Sequence, residues 1–232
     1  QVAGSAAGEP SRRLGATPGG RAGAGGAAPA MSPATPSGPV VRPARPGDAP
    51  AIAHVLATAL GDKFRAAYGA RTEPVLAALA GHDIGRRGEH HLVAQLGDAV
   101  VGAVHLTLAE EPDPAFADRV AAEAGRLRAL RALVVLSALA HAGLRPDEAY
   151  VEELGVLPEA RRRGVGRALL AACEEEARRR GRRYLTLWVT CENAPAIALY
   201  QRTGFRVRRR RRALAGRLFF GTRGMLLMEK PL

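Results

Sequence analysis

The stretch Val156-Leu157-Pro158-Glu159-Ala160-Arg161-Arg162-Arg163-Gly164-Val165-Gly166-Arg167-Ala168-Leu169-Leu170 organises the chain. An alternating apolar run (Tyr150, Leu154, Val156) ends at Pro158, a basic turn containing glycine follows, and an amphipathic helix begins. A strand–turn–helix junction of this kind offers backbone N–H groups at a positive helix N-terminus, where an anionic phosphate can sit. Gly164 and Gly166 leave the backbone bare, and Arg161, Arg162, Arg163 and Arg167 supply charge-assisted donors.

The residues separate the phosphate ligands that use such a junction. A dinucleotide fold needs G-x-G-x-x-G and an acidic residue about 20 positions on. Here Gly164-Val165-Gly166 runs into Arg-Ala-Leu, and the strand predicted at Leu185–Val189 carries no acid. A P-loop needs Gly-Lys-Ser/Thr, and the only lysines are Lys63 and Lys230. What remains is R-x-x-G-x-G (Arg161, Gly164, Gly166) after V-x-P. It resembles the acyl-CoA pyrophosphate loop of the GNAT superfamily of N-acetyltransferases. Downstream, Asn193 to Phe205 reads N-A-P-A-I-A-L-Y-Q-R-T-G-F and fills every position of that family's second signature, N-x-x-A-x-x-L-Y-x-x-x-G-F. The resemblance is specific from Ala149 to Phe205 and extends from Pro39 to the C-terminus.

It implies an α/β fold: a mixed, mostly antiparallel central sheet flanked by helices. It also implies acetyl-CoA as co-substrate, an amine acceptor and no metal. Leu154, Gly155 and Val156 match the strand positions that pair with the pantetheine arm, and an N–H near Val156 would hold the thioester carbonyl. The cofactor set then comprises Leu154, Gly155, Val156, Arg161, Arg162, Arg163, Gly164, Val165, Gly166, Arg167, Asn193 and Tyr200. Tyr200 stands at the family's general acid for the leaving thiolate.

Glu152 and Glu153 precede L-G-V, as in family members of the E-[DE]-[LI]-x-V type, where the first acid is the base. Strand alternation predicts that the two point to opposite faces, with Glu152 sharing the face of Leu154 and Val156. The ribosomal-protein branch carries its glutamate on the fifth strand, where this chain has Trp188. A covalent route through Cys191 is set aside, because a lone cysteine usually serves as a small hydrophobe. His54 and His105 read as structural, and His90-His91 and His141 lack metal-ligand spacing.

The chain has 232 residues and a formal net charge of +12. Arginine supplies nearly all of it, and only 4% of residues are aromatic, which disfavours base-stacking platforms and a nucleic-acid partner. The exception is Arg206–Arg212, broken only by Val207, which could instead meet an acidic or nucleic-acid partner. A non-catalytic acyl-CoA-binding or arginine-docking domain is therefore the alternative reading. Two cysteines, Cys173 and Cys191, give no disulfide framework, consistent with a cytoplasmic protein, and no apolar run approaches the roughly 20 residues of a membrane span. A homodimer is compatible with the resemblance.

Residues 1–38 are rich in Gly, Ala, Pro and Ser and are expected to be disordered, with the acetyltransferase domain at 39–232. Met31 is a candidate initiator. The pattern predicts a strand at Val40–Ala44, a helix from an Asp48 cap to Leu60, and a helical region at Lys63–Ala80 broken near Gly69. A hairpin of His91–Gln95 and Ala99–Leu108 follows. Residues 109–146 depart from the family's short turn between the third and fourth strands and are read as a helical insertion. Its apolar helix, Leu127–Ala142, is expected to cover the sheet, the alternative being a lid over the acceptor site or a partner-docking helix. Helices from Gly164 to Arg180 and after Asn193 follow, then strands at Phe205–Arg212 and Met225–Lys230 around a loop with Phe219 and Phe220.

Overall fold

The computed structural model describes residues 38–87, 90–108, 115–139, 144–212, 222 and 224–232. The expected disorder of 1–37, the loop with Phe219 and Phe220, and His141 lie outside them. In order come β1 (Val40–Pro43), α1 (Ala49–Ala59), α2 (Gly61–Tyr68), α3 (Thr72–Arg87), β2 (His91–Leu96), β3 (Ala99–Thr107), α4 (Phe116–Ala124) and α5 (Arg126–Leu139). Then follow β4 (Glu148–Val156), α6 (Val165–Arg179), β5 (Tyr184–Thr190), α7 (Ala194–Arg202), β6 (Arg206–Arg212) and β7 (Gly224–Pro231). The strands form one sheet in the order β1-β2-β3-β4-β5-β7-β6, antiparallel at every neighbouring pair but β4–β5. This is the mixed, mostly antiparallel sheet flanked by helices that the sequence predicts. Among the described residues no helix is long and apolar enough to cross a membrane.

Glycines fix how closely the helices approach. A Cβ on Gly102 of β3 would lie 2.7 Å from Val165 and 3.1 Å from Leu169, so α6 rests directly on that face. A Cβ on Gly155 of β4 would meet Ala59, Val55 and Leu56 at 3.1–3.3 Å, so α1 rests on the opposite face. The α6 residues Val165, Leu169 and Cys173 are buried, as their four-residue spacing predicts.

Three local expectations are revised. Asp48 precedes α1 but does not cap it with its side chain. Its carboxylate instead takes both arms of the Arg42 guanidinium, at 2.6 and 2.9 Å, and the Arg45 N–H at 2.7 Å, tying β1 to the turn before α1. On α6 the spacing predicts the i,i+4 pairs Glu174–Arg178, Glu175–Arg179 and Glu176–Arg180. The first and last form, but Arg179 turns to the buried Glu176 rather than to Glu175. The insertion helix α5 packs chiefly on α2 and α4 rather than on the sheet. Arg131 donates to the Ala66 carbonyl at 2.8 Å and Arg71 to that of Glu123 at 2.8 Å. The insertion thus braces α2, the helix that carries Lys63 and Tyr68.

Candidate active site

β4 and β5 pair from Glu148–Tyr184 to Val151–Leu187 and then part. β4 runs on beside β3 as far as Val156, opposite Gly102, while β5 runs on beside β7 to Thr190, opposite Met225. Beyond Val151, the residues Leu154, Gly155 and Val156 of β4 have no β5 partner, the arrangement that an extended ligand could use.

The basic turn lies at the end of β4. Pro158–Ala160 form one turn of 3-10 helix, Arg162 has φ +64° and Gly164 has φ +82°, so the chain turns sharply into α6. The first helical hydrogen bond after the turn runs from Ala168 N–H to the Gly164 carbonyl at 3.0 Å. The amides of Val165, Gly166 and Arg167 precede it and face the helix entrance. A Cβ on Gly164 would meet nothing within 4 Å, so the space beside it is open. Gly166 sits against Leu199 of α7 and near Val156, so its bareness serves close packing as well. The guanidinium Nε of Arg161 lies 3.4 Å from the Val156 carbonyl, and Arg162, Arg163 and Arg167 are exposed around the turn. The site fits a pyrophosphate by its donors: bare helix amides and four guanidinium groups.

Tyr200 is buried on α7, its ring 5.8 Å from that of Phe205. Asn193 caps this helix through Oδ1, which accepts the Ala196 N–H at 3.2 Å, and Phe205 N–H closes the other end on the Tyr200 carbonyl at 2.9 Å. The second signature is thus largely a capping framework that fixes the tyrosine. Burial pushes the Tyr200 phenol up to about 12, so it remains a neutral proton donor through the physiological range.

The glutamates differ from the alternation prediction. His105 is the cross-strand partner of Glu153 and Leu106 that of Val151, so Glu152 is the extra residue of a β-bulge. The bulge shifts the alternation by one. Leu154 and Val156 lie opposite Val104 and Gly102 on the α6 face, whereas Glu153 shares the α1 face with Gly155. Glu152 joins it there, accepting from the Thr107 hydroxyl at 2.9 Å and lying 3.1 Å from His105 Nδ1. Both carboxylates therefore address one region, Glu153 being held by Lys63 of α2 at 3.1 Å.

Sequence reasoning missed the neighbours. Burial, then the charges of Glu153 and Glu152, raises the phenol of Tyr68; burial and the same two charges raise that of Tyr150. His105, read as structural, lies in this polar cluster, its ring stacked on that of His91 with centroids 4.2 Å apart and planes within 4°. The one available signal was that His105 and Thr107 put polar side chains on the same face of a largely apolar strand. Potential donor atoms of Asp83, His91 and His105 come within 4.8 Å of one another. The imidazole lone pairs lie in the ring planes, and in parallel stacked rings they run side by side instead of converging on one ion.

A family model described as the acetyltransferase (GNAT) family matches residues 55–205. An uncharacterized N-acetyltransferase of Methanocaldococcus jannaschii is 47% identical over 59 residues, which are 25% of this chain and 26% of that protein. The [ribosomal protein bS18]-alanine N-acetyltransferase of Escherichia coli strain K12 is 46% identical over 59 residues, or 25% of this chain and 40% of that protein. The chain thus spans well under half the length of these curated relatives. In fold, the solved structure of Ard1 from Thermoplasma volcanium superposes with TM-score 0.56 at 17% identity, covering 84% of this chain and 97% of that one. With its matched region running from α1 through the second signature, the chain belongs to the acetyltransferase (GNAT) family.

Proposed function

We propose that residues 39–232 form an acetyl-CoA-dependent N-acetyltransferase domain that moves the acetyl group to a primary amine by direct attack. The observation that carries this reading is the parting of β4 and β5 beside the bare N-terminus of α6: an extended edge for a peptide-like arm and a basic cradle for its pyrophosphate. In the reaction the acceptor ammonium first loses a proton to a base at Glu152. The amine nitrogen then bonds to the thioester carbon, and the oxyanion is held by backbone N–H near Val156. Collapse breaks the C–S bond, and the departing thiolate takes a proton from Tyr200. The second proton shed by the nitrogen returns through water to the Tyr200 oxygen, leaving the first proton on the base to be released to solvent. The products are an amide and free coenzyme A. A cytoplasmic setting accords with two free cysteines, Cys173 and Cys191.

A thiol-release assay with acetyl-CoA and a panel of peptides, polyamines and aminoglycosides tests the reading. Amine-dependent release of coenzyme A with formation of an acetylated amine is expected. A domain that only binds acyl-CoA, or docks a partner through Arg206–Arg212, would bind the cofactor and release no thiol above the solvent rate.

A further inference from the structure

The polar cluster around the β4 bulge draws on five elements. β4 supplies Glu152, Glu153 and Tyr150; β3 supplies His105 and Thr107. β2 supplies His91, the cross-strand partner of His105, and α2 supplies Lys63 and Tyr68. Asp83 of α3 lies 3.7 Å from His91, with His82 beside it in sequence. Against this largely apolar packing, the arrangement assigns every charge a partner in space: Lys63 to Glu153, His105 to Glu152, and Asp83 to His91.

Two imidazoles stacked 4.2 Å apart cannot both carry charge without strong repulsion in a partly buried site, so at most one of them takes up an extra proton. The contacts decide which. His105 has a carboxylate oxygen 3.1 Å from Nδ1, within hydrogen-bond reach, while the Asp83 carboxylate stands 3.7 Å from His91 Nε2, beyond it.

Resting on the acetyltransferase reading, we propose that Glu152 and His105 act as one proton-accepting dyad, His105 being the positioning residue through which Glu152 receives and passes on the acceptor's proton. The ammonium N–H bond breaks toward the Glu152 carboxylate, directly or through one water. With His105 neutral and its own proton on Nε2, the proton then passes to the bare Nδ1, and the amine keeps the electron pair with which it attacks. The thioester chemistry is unchanged.

The electrostatics of the cluster agree. Burial alone would lower the His105 imidazole, but the hydrogen bond and charge of Glu152, with Glu153 and Asp83, outweigh it and raise it above its ordinary value. For His91 burial wins over Asp83, and the ring is held below. Burial would raise Glu152, but the hydrogen bond and charge of His105, the charge of Lys63 and the Thr107 hydroxyl hold it far below the usual carboxylate range. An isolated carboxylate so stabilised is a poor base near neutrality. The proton-free dyad is a better one, and it is populated as pH rises through the pair's shared ionisation.

The test is the pH profile of kcat/KM, at saturating acetyl-CoA, for wild type and His105→Asn. Asparagine can keep a donor near Nδ1 but cannot titrate. Ionisation of the amine itself contributes equally to both profiles. The dyad predicts that wild-type activity rises through an inflection above the ordinary imidazole value. His105→Asn should move that inflection toward the carboxylate range and lower the plateau by about tenfold, within the scale of general-base effects. A variant with wild-type plateau and inflection would overturn the dyad.

An NMR titration of the His105 ring in wild type and Glu152→Gln reads the pairing without turnover. The dyad predicts that the inflection falls in Glu152→Gln, and an unchanged inflection overturns it even should His105→Asn fail to fold. Absence of thiol release with every amine would instead sink the acetyltransferase reading, and the NMR arm would still decide the pairing.

Discussion

Val151 and Leu187 are the last residues at which β4 and β5 are paired, and the next residue of β4, Glu152, is the extra residue of the bulge. The parting of the strands and the bulge are thus one feature. As β4 leaves β5, its pairing with β5 ends, and the shift in alternation delivers two carboxylates to the α1 side. On the reading proposed above, the same irregularity makes room for the pantetheine arm and sets the base beside its carbonyl.

The proposed pyrophosphate site is tested at Gly164. A Cβ there would project into open space, so a valine costs little in packing but obstructs an anion approaching the α6 amides. The positive φ adds backbone strain for a β-branched residue. Gly164→Val is therefore expected to raise the acetyl-CoA Kd at least about tenfold, roughly 1.4 kcal/mol. Calorimetric titration measures it, with a thermal melt to show that the variant is folded. Unchanged affinity would move the pyrophosphate elsewhere.

Tyr200→Phe removes one hydroxyl and leaves the ring packed against Phe205. Acetyl-CoA affinity should survive, while the single-turnover rate of amide formation falls by about 10²-fold, a typical contribution of a general acid. With the phenol near 12, the wild-type rate should show no loss from Tyr200 ionisation until strongly alkaline pH. A wild-type single-turnover rate in the variant would assign the tyrosine a packing role only.

What was legible in the sequence was local. The turn at Arg161–Gly166 and the helix running from its Asn193 cap to Gly204 are short-range patterns of glycine, proline and capping residues, and the structure keeps them in place. The strand pairing followed from alternation, and alternation failed at Glu152 because a bulge is one residue of register. Its location depends on His105, Leu106 and their β4 partners, 45 or more positions away in sequence. The setting of His105 was hidden for the same reason. Its neighbours Glu152, Asp83 and His91 converge from three other elements, and no spacing announces them. For the insertion, the apolar stripe of α5 signalled burial but not against what. The helix braces α2, with Leu127 and Leu130 left exposed.

The Arg42–Asp48 pair predicts an acid-dependent stability. Hydrogen bonding to Arg42, opposed by burial and aided by the Arg45 N–H, holds the Asp48 carboxyl below its ordinary value. A carboxyl lowered in the folded state stabilises above its unfolded value of about 4, and that stability is lost as pH falls through the folded value. Asp48→Asn should destabilise by about 1–3 kcal/mol at neutral pH, the scale of hydrogen bonds to charged groups. Denaturation at neutral pH and again well below pH 4 should show the two proteins converging in acid. A difference that persists undiminished would mean that shape, not charge, fixes this corner.

The choice between the two glutamates rests on their partners, since the bulge puts both on one side. Glu153 is engaged by Lys63 at 3.1 Å and its side chain is only 18% exposed. Glu152 is held from behind by His105 and Thr107 and is 42% exposed, which leaves it the oxygen surface an ammonium can reach. Glu152→Gln is therefore expected to lower kcat/KM by about 10²-fold near neutral pH. The defect should shrink as pH rises, because a growing fraction of the amine is then already deprotonated. Glu153→Gln should have a small effect, since its charge neutralises Lys63 instead of meeting the acceptor. Parallel pH–rate profiles of the two variants with one amine decide it. A larger defect in Glu153→Gln would transfer the base to Glu153 and leave Glu152 to His105 alone.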